Sequence, residues 1–189
     1  MKHTRNRSIW TVPARIAALS ALLLGVSAAI AFAAVIPGTP GNDNLTGTGA
    51  ADQISALAGN DDVSGRAGDD FIEGGEGDDE LDGENGADQI YGGPGDDDVE
   101  GGNGADTIAG EDGDDEIDGN DGPDVIYGNG GSNDLEGGNG NDTISADQNG
   151  EADEVDCGAG NADVAYVDQF DSVDNCETVI VTEFEEPEA

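Results

Sequence analysis

A nine-residue period that runs without interruption from Gly38 to Ser145 constrains this chain more than any other feature. Twelve consecutive repeats fill the stretch, with Gly at position 1 except for Ala56 and Gly at position 4 except for Ala50. Position 8 is always aliphatic: Leu45, Ile54, Val63, Ile72, Leu81, Ile90, Val99, Ile108, Ile117, Ile126, Leu135 and Ile144. Position 6 is acidic in all repeats but one: Asp43, Asp52, Asp61, Asp70, Asp79, Asp88, Asp97, Asp106, Asp115, Asp124, Asn133 and Asp142.

Each of these columns has its own physical reason. Glycine at positions 1 and 4 predicts positive φ angles and a close approach of backbone carbonyls. An aliphatic residue at position 8, between mostly polar neighbours, predicts a three-residue strand with one buried face. Strands this short are stable only when repeats stack and bury their apolar faces against one another, so the period predicts a solenoid.

The charge balance limits what the chain can bind. The 189 residues carry a formal net charge of -39, and Arg66 is the only one of five basic residues beyond position 15. Low hydrophobicity with so large a charge is typical of disordered chains, so folding requires cations from outside. Nucleic acid is excluded as a direct partner, because phosphate binding depends on Lys and Arg.

Residues 1–33 have the three parts of a secretory signal peptide: a basic start, an apolar run from Ile16 to Phe32, and the small-residue pattern Ala31-Phe32-Ala33. We predict cleavage after Ala33 and a secreted, extracellular mature chain. Retention as an uncleaved membrane anchor is the alternative, since the apolar run is near the lower length limit for a span. No later run reaches that length, so no membrane span is predicted in the mature chain.

The repeats resemble a known calcium-binding nonapeptide. Gly74–Asp82 and Gly101–Ala109 follow the pattern G-G-x-G-x-D-x-U-x, with U an aliphatic residue, position by position. This pattern is similar to that of RTX proteins. The resemblance implies a parallel β-roll in which two repeats make one turn, successive strands alternate between two sheets, and calcium lies between loops two repeats apart. It also implies that the position-6 side chain supplies carboxylate oxygen and the glycine-rich turn supplies carbonyl oxygen.

The ligand chemistry agrees with that implication. Calcium prefers six to eight oxygen ligands, and the repeats offer neither the nitrogen nor the thiolate that zinc prefers. We therefore expect the twelve position-6 residues to be metal ligands, for on the order of ten ions. Asn133 lacks the charge for an equivalent site, and the end loops of Asp43 and Asp52 have a neighbour on one side only. A solvated acidic linker is the alternative, but it gives no reason for an aliphatic residue in every repeat.

The predicted fold is an all-β, calcium-stabilised, right-handed parallel β-roll with two short-stranded sheets and a disulfide-closed C-terminal cap. A lead-in segment, residues 34–37, precedes the twelve repeats of residues 38–145. Residues 146–182 form degenerate repeats and the cap, and residues 183–189 form an acidic mobile tail.

Two features of the cap can be predicted. An even pair of cysteines in an exported protein predicts one disulfide, Cys157 with Cys176, and the segment resembles the closing part of secreted RTX-repeat proteins. A solenoid end must be covered. The apolar residues available to cover it are Val164, Tyr166, Val167, Phe170, Val173, Val179, Ile180 and Val181.

If strands alternate between sheets, the two outer faces differ in charge. Odd-numbered repeats direct outward Asn44, Thr46, Asp62, Ser64, Glu80, Asp82, Asp98, Glu100, Glu116, Asp118, Asp134 and Glu136, of which nine are acidic. Even-numbered repeats direct outward Gln53, Ser55, Phe71, Glu73, Gln89, Tyr91, Thr107, Ala109, Val125, Tyr127, Thr143 and Ser145, of which one is acidic. The even face either gains β-propensity from these residues or forms an interaction face for a protein or polysaccharide, centred on Phe71, Tyr91, Val125 and Tyr127.

No enzymatic activity is predicted, because the chain beyond residue 33 contains neither His nor Lys to activate a nucleophile. An ice-binding module requires a ladder of Thr or Asn, which is missing. Toxins of the wider family carry a separate effector region, which this chain does not have. The predicted function is therefore calcium binding by a secreted roll that folds on binding the ion. Its biological role is scaffolding, adhesion or ion buffering, and the sequence does not choose among them. The alternative is a calcium-dependent adhesion or interaction module that uses the even face.

Overall fold

The computed structural model describes residues 33–146 and 150–182, and the predicted export segment up to residue 32 and the tail 183–189 lie outside these ranges. The described part contains strands and no helix, and therefore no helix that could cross a membrane. Its strands are β1 (Ala34–Pro37), β2 (Asn44–Thr46), β3 (Asp52–Ala58), β4 (Asp62–Ser64), β5 (Phe71–Glu76), β6 (Glu80–Asp82), β7 (Asn85–Gly86), β8 (Gln89–Pro94), β9 (Asp98–Glu100), β10 (Asn103–Gly104), β11 (Thr107–Asp112), β12 (Glu116–Asp118), β13 (Val125–Gly130), β14 (Asp134–Glu136), β15 (Thr143–Ser145), β16 (Glu154–Asp156), β17 (Val164–Val167), β18 (Ser172–Asp174) and β19 (Thr178–Val181).

The predicted alternation of strands between two parallel sheets is confirmed. Odd-numbered repeats contribute the eight-stranded sheet β2-β4-β6-β9-β12-β14-β16-β18, which we call the acidic sheet. Even-numbered repeats contribute the nine-stranded sheet β1-β3-β5-β8-β11-β13-β15-β17-β19, which we call the neutral sheet. Every pairing between repeats joins equivalent positions one turn apart, as with Leu81 opposite Val99 and Ile90 opposite Ile108.

The position-8 residues form the interior between the sheets. From Ile54 to Ile144 they are at most 1% exposed, and Val155 continues the column beyond the regular repeats. Burial of each aliphatic side chain contributes about 1.5–3 kcal/mol, which makes this column the main apolar source of stability. Leu45, in the first turn, is only partly buried because it has a neighbouring turn on one side.

Strand lengths differ between the sheets. The acidic sheet uses three residues per turn, as predicted, whereas β5, β8, β11 and β13 of the neutral sheet have six. These longer strands continue through positions 1–3 of the next repeat, where Leu57 still pairs with Gly75 and Glu111 with Gly93. Residues 34–37, predicted as a lead-in outside the repeats, form β1 and pair with β3.

The prediction of positive φ at position 1 is wrong. Positive φ occurs at position 2, including non-glycine residues such as Leu57 at 87° and Glu111 at 81°, and at seven of the position-4 glycines, including Gly77 at 129°. The other predicted role of glycine at position 1 is confirmed, because at most of these glycines a carbonyl oxygen one turn away leaves no space for a Cβ. The conformational and steric demands of the turn therefore fall on different residues.

The C-terminal segment extends both sheets. The predicted disulfide is confirmed, with Cys157 bonded to Cys176 and their Cα atoms 5.1 Å apart. Strands β17 and β19 pair in register with the neutral sheet, and β18 pairs with β16 in the acidic sheet. No described residue covers the last strand, since Val179 and Val181 are 45% and 62% exposed. The apolar residues expected to cover the end therefore continue the sheets instead, except for Phe170, which lies between strands and is exposed.

Candidate metal centre

The position-6 side chains form two columns, one at each edge of the roll, because repeats two apart stack directly on each other. The column of the odd-numbered repeats contains Asp43, Asp61, Asp79, Asp97, Asp115, Asn133, Asp153 and Asp171, and that of the even-numbered repeats contains Asp52, Asp70, Asp88, Asp106, Asp124, Asp142 and Asp163. In each column the Oδ1 atom accepts a hydrogen bond from the backbone N–H one turn earlier, at 2.6–3.1 Å. One carboxylate oxygen thus serves the fold.

The second carboxylate oxygen has no partner. The Oδ2 atoms that are buried without a hydrogen bond belong to Asp61, Asp70, Asp79, Asp88, Asp97, Asp106, Asp115, Asp124, Asp142, Asp153, Asp163 and Asp168. A buried ionised oxygen without a donor is costly unless a cation neutralises it. A whole column of such atoms fits a row of cation sites better than it fits a structural network.

The position-1 glycines mark where further oxygen ligands converge. A Cβ built on Gly119 would lie 2.7 Å from the carbonyl oxygen of Gly137 and 2.8 Å from Oδ2 of Asp124. At Gly83 the same virtual atom would lie 2.6 Å from the Gly101 carbonyl oxygen and 2.7 Å from Oδ2 of Asp88. Carbonyl and carboxylate oxygens therefore meet at each of these turns, which is the oxygen-only ligand set that calcium prefers.

The side chains alone do not complete a site. In residues 33–146 and 150–182, no three His, Cys, Asp or Glu side chains converge as a metal-binding group. Both cysteines are joined in the disulfide, so the described residues offer no free thiolate. The ligands of each ion must then be mainly backbone carbonyls with a few carboxylates, a composition that favours calcium over zinc.

Comparison with known proteins agrees with this geometry. The family model for the RTX calcium-binding nonapeptide repeat, in four copies, matches residues 37–72, 73–108 and 109–144, which together exceed half of the chain. The chain belongs to the RTX calcium-binding repeat family. A comparison with curated proteins gives no match. RTX repeats bind calcium, and the family is a structural calcium-binding module typical of secreted proteins.

The first turn of this RTX roll differs from the rest. Oδ2 of Asp43 accepts hydrogen bonds from the Thr39 backbone N–H at 2.6 Å and from the Thr39 hydroxyl at 2.9 Å. Oδ2 of Asp52 accepts one from the Thr48 backbone N–H at 2.5 Å, and the Thr48 hydroxyl donates to Oδ1 at 3.1 Å. Both oxygens of Asp52 and Oδ2 of Asp43 are therefore satisfied by the protein. Among the twelve predicted ligands, the structure gives the least support for calcium binding at Asp43 and Asp52.

Asn133 interrupts the column of the odd-numbered repeats without breaking its hydrogen bonds. Its Oδ1 accepts from the Asp115 N–H at 2.9 Å, and its own N–H donates to Asp153 at 2.6 Å. Its buried Nδ2 stands where neighbouring repeats present Oδ2, and it has no partner. An amide N–H₂ repels a cation, so the structure supports the expectation that this site is weakened.

The columns continue past the twelve regular repeats, which the list of predicted ligands did not include. Asp153 and Asp163 are buried and present partnerless Oδ2 atoms like those of the regular repeats. The backbone N–H of Asp163 donates to Oε2 of Glu177 at 3.0 Å, so Glu177 ends the column of the even-numbered repeats. The spacing Asp-x-aliphatic in Asp153-Glu154-Val155 was the available signal. It identifies a thirteenth repeat with two inserted residues, but the predicted ligands ended at Asp142.

Burial changes the acidity of these carboxyl groups. Burial raises the pKa of Asp88, Asp97, Asp124 and Asp153 to about 7. The hydrogen bond that each Oδ1 accepts from a backbone N–H opposes this effect and lowers the pKa. Neighbouring carboxylates in the columns raise the pKa further. At Asp52 burial acts in the same direction, but hydrogen bonds from Thr48 and Ala34 outweigh it and lower the pKa. Without cations, therefore, Asp88, Asp97, Asp124 and Asp153 retain protons at a higher pH than ordinary aspartates do.

These shifts predict opposite pH dependences with and without calcium. An acid whose folded pKa lies above its unfolded value of 3.8 binds more protons when folded, so it destabilises the fold as pH rises from about 4 to about 7. In chelator, we expect β-structure to increase when pH falls from about 8 to about 5. With limiting calcium, we expect binding to weaken over the same fall, since protons compete for Oδ2.

Far-UV circular dichroism along both pH series tests this expectation. Light scattering serves as the control, because the sequence isoelectric point is about 4.1 and precipitation near it would distort the signal. A calcium-free chain whose β-signal stays constant or falls on acidification would contradict the assignment of raised pKa values to these carboxyls.

Proposed function

We propose that this chain is a secreted calcium-binding roll that stays expanded until it meets extracellular calcium and folds on binding it. The observation that carries the proposal is the pair of columns of buried Oδ2 atoms without a partner. We assign as ligands the position-6 carboxylates from Asp61 to Asp142, with the turn carbonyls beside them, and add Asp153 and Asp163. Asn133 contributes a weaker position, and the total remains on the order of ten ions.

Charge explains why folding should require the ion. The chain has 44 acidic residues against five basic ones, so compaction brings like charges together. In the acidic sheet, Glu80 pairs with Asp98 and Glu116 with Asp134 on neighbouring strands. Burying the inner columns adds the desolvation cost seen in their raised pKa values. Calcium neutralises the inner carboxylates and binds the folded state far better than the expanded chain, which shifts the equilibrium toward folding.

Export supports this order of events. Residues 1–33 have the pattern of a signal peptide, and RTX repeats are typical of secreted proteins. Calcium sites of extracellular modules have dissociation constants of about 10⁻⁴–10⁻³ M. A chain with sites in that range remains expanded where calcium is scarce and folds after it reaches the exterior. No catalytic residue is part of the proposal.

A calcium titration followed by far-UV circular dichroism tests the proposal. We expect a disordered spectrum in chelator, a cooperative change to a β-spectrum on addition of calcium, and reversal when chelator is restored. Magnesium at the same concentration is the matched control, since its small octahedral shell fits carbonyl-rich turns poorly. A full β-spectrum in chelator at neutral pH would contradict folding on binding, although it would leave calcium binding itself intact.

A further inference from the structure

All three tyrosines of this chain stand in one column on the outer face of the neutral sheet. Tyr91 pairs with Ala109, which pairs on its other side with Tyr127. Tyr127 pairs with Ser145, and Ser145 pairs with Tyr166. A tyrosine therefore recurs on every second strand, with a small residue on the strand between. The irregular segment before β16 hides this order in the sequence, since Tyr166 comes after two breaks in the nine-residue period.

The column has a defined spacing. Neighbouring strands lie about 4.8 Å apart, so tyrosines two strands apart are separated by about 9.6 Å along the roll. Ala109 and Ser145, on the strands between, have short side chains that separate successive rings. Ala109 is only 7% exposed, as expected for a small residue between two large ones. The result is a row of aromatic rings at regular intervals on a sheet surface.

Packing of one ring on another does not account for the whole row. Within the described residues the only paired aromatic rings are Phe71 and Tyr91, with centroids 5.6 Å apart and planes tilted by 43°. Tyr127 and Tyr166 take part in no ring pair in the same part of the chain, and Tyr166 is 41% exposed. Phe71 therefore supports one end of the row, while the rest of it remains available to a partner.

The surroundings of the column indicate the chemistry of that partner. The adjacent outward column contains the apolar Phe71 and Val125 together with Gln89, Thr107 and Thr143, whose amide and hydroxyls can donate and accept hydrogen bonds. Acidic residues dominate the other outer face, so a cationic partner would bind the acidic sheet, and a polyanion is repelled by the whole molecule. Glu73, which pairs with Tyr91, places an acid at one end of the column, and from Thr107 to Tyr166 the outward positions carry no charge. An uncharged partner therefore matches this face best.

We propose that the tyrosine column binds an extended, uncharged, β-1,4-linked polysaccharide lying along the roll. In such a chain the disaccharide unit is about as long as two strand spacings, so every second sugar can stack its apolar face on a tyrosine. Gln89, Thr107 and Thr143 then bond the equatorial hydroxyls. The inference rests on the calcium-loaded roll proposed above, because the column exists only when the turns are stacked.

Isothermal titration of the calcium-saturated full chain with cellohexaose and with chitohexaose tests the inference, and the two arms separate a glucan from an N-acetylglucosamine source. We expect saturable binding of at least one of them. Tyr127→Ala, at the centre of the column, is expected to weaken binding about tenfold or more, while Tyr127→Phe retains it. Asp98→Asn, on the acidic sheet, is the matched surface control and should leave affinity unchanged. Alginate, a polyanion, should not bind.

Circular dichroism of each sample keeps this test separate from the test of the proposed function. Absence of saturable binding to both hexasaccharides by a chain with a full β-spectrum would overturn the inference, as would unchanged affinity in Tyr127→Ala. Preferential binding of alginate would overturn it too. If the chain is β-structured without calcium and still binds a hexasaccharide through Tyr127, folding on calcium fails and the polysaccharide site stands.

Discussion

Asp97→Asn is expected to raise the calcium concentration at the folding midpoint by about tenfold or more, whereas Asp98→Asn leaves it unchanged or lowers it slightly. The two residues are neighbours of the same type, but Asp97 is buried and Asp98 is exposed on the acidic sheet. Oδ2 of Asp97 has no partner, and it is this oxygen that asparagine replaces with an amide nitrogen. A tenfold shift corresponds to about 1.4 kcal/mol.

The substitution isolates the metal ligand from the fold. Oδ1 of Asp97 accepts from the Asp79 N–H at 2.8 Å, and an asparagine can keep that bond, as Asn133 does with Asp115. Asp98→Asn removes the same charge from the sheet opposite Glu80 and Glu116, where like charges already repel. Equal midpoint shifts in the two variants would show that total charge, not the inner column, governs calcium binding.

Gly119→Ala is expected to destabilise the calcium-bound roll by about 1–3 kcal/mol and to weaken the site at Asp124. The added Cβ would lie 2.7 Å from the Gly137 carbonyl oxygen and 2.8 Å from Oδ2 of Asp124, within the space where the ligand oxygens converge. Gly119 does not have a positive φ, so alanine is acceptable to the backbone there. The expected loss therefore comes from crowding of the ligand oxygens.

Gly49→Ala is the matched control for this variant. Its Cβ would have nothing within 4 Å, and Gly49 also lacks a positive φ. We expect a change within about 0.5 kcal/mol or a slight stabilisation, since alanine restricts the unfolded chain. Thermal melts at saturating calcium give the stability difference, and calcium titrations give the affinity. Unaltered calcium affinity in Gly119→Ala would show that this turn does not contribute ligand oxygens.

Much of the fold could be predicted from the repeat, because several of its positions must satisfy a single strong physical requirement and therefore keep one residue type. A buried aliphatic such as Ile108 recurs at position 8 since that position faces the apolar interior between the sheets. The acid at position 6, together with the resemblance to RTX repeats, led to two sheets and a calcium-binding roll. Where a single demand controls a position, periodicity reveals it.

Other features could not be predicted because no single residue type is required at the positions concerned. Positive φ at position 2 is compatible with Leu57, Glu111 and glycine alike, so no residue type marks it. Thr39 and Thr48 donate hydrogen bonds to the carboxylates four residues ahead, and the presence of a Thr in a turn does not by itself predict such a bond. The segment of Asp163 is recognisable as a degenerate repeat, but insertions displace Asp163 from the period, so its place in the carboxylate column was not predicted.

The most direct test of the central claim, that the inner carboxylate columns hold calcium, is an anomalous difference map from crystals of the calcium-loaded chain. We expect two rows of peaks, one at each edge of the roll, within about 2.3–2.6 Å of the Oδ2 atoms from Asp61 onward. The peak at Asn133 should be reduced, and none is expected beside Asp43 or Asp52. A map with calcium only on the outer carboxylates of the acidic sheet, and none beside the inner columns, would contradict the account.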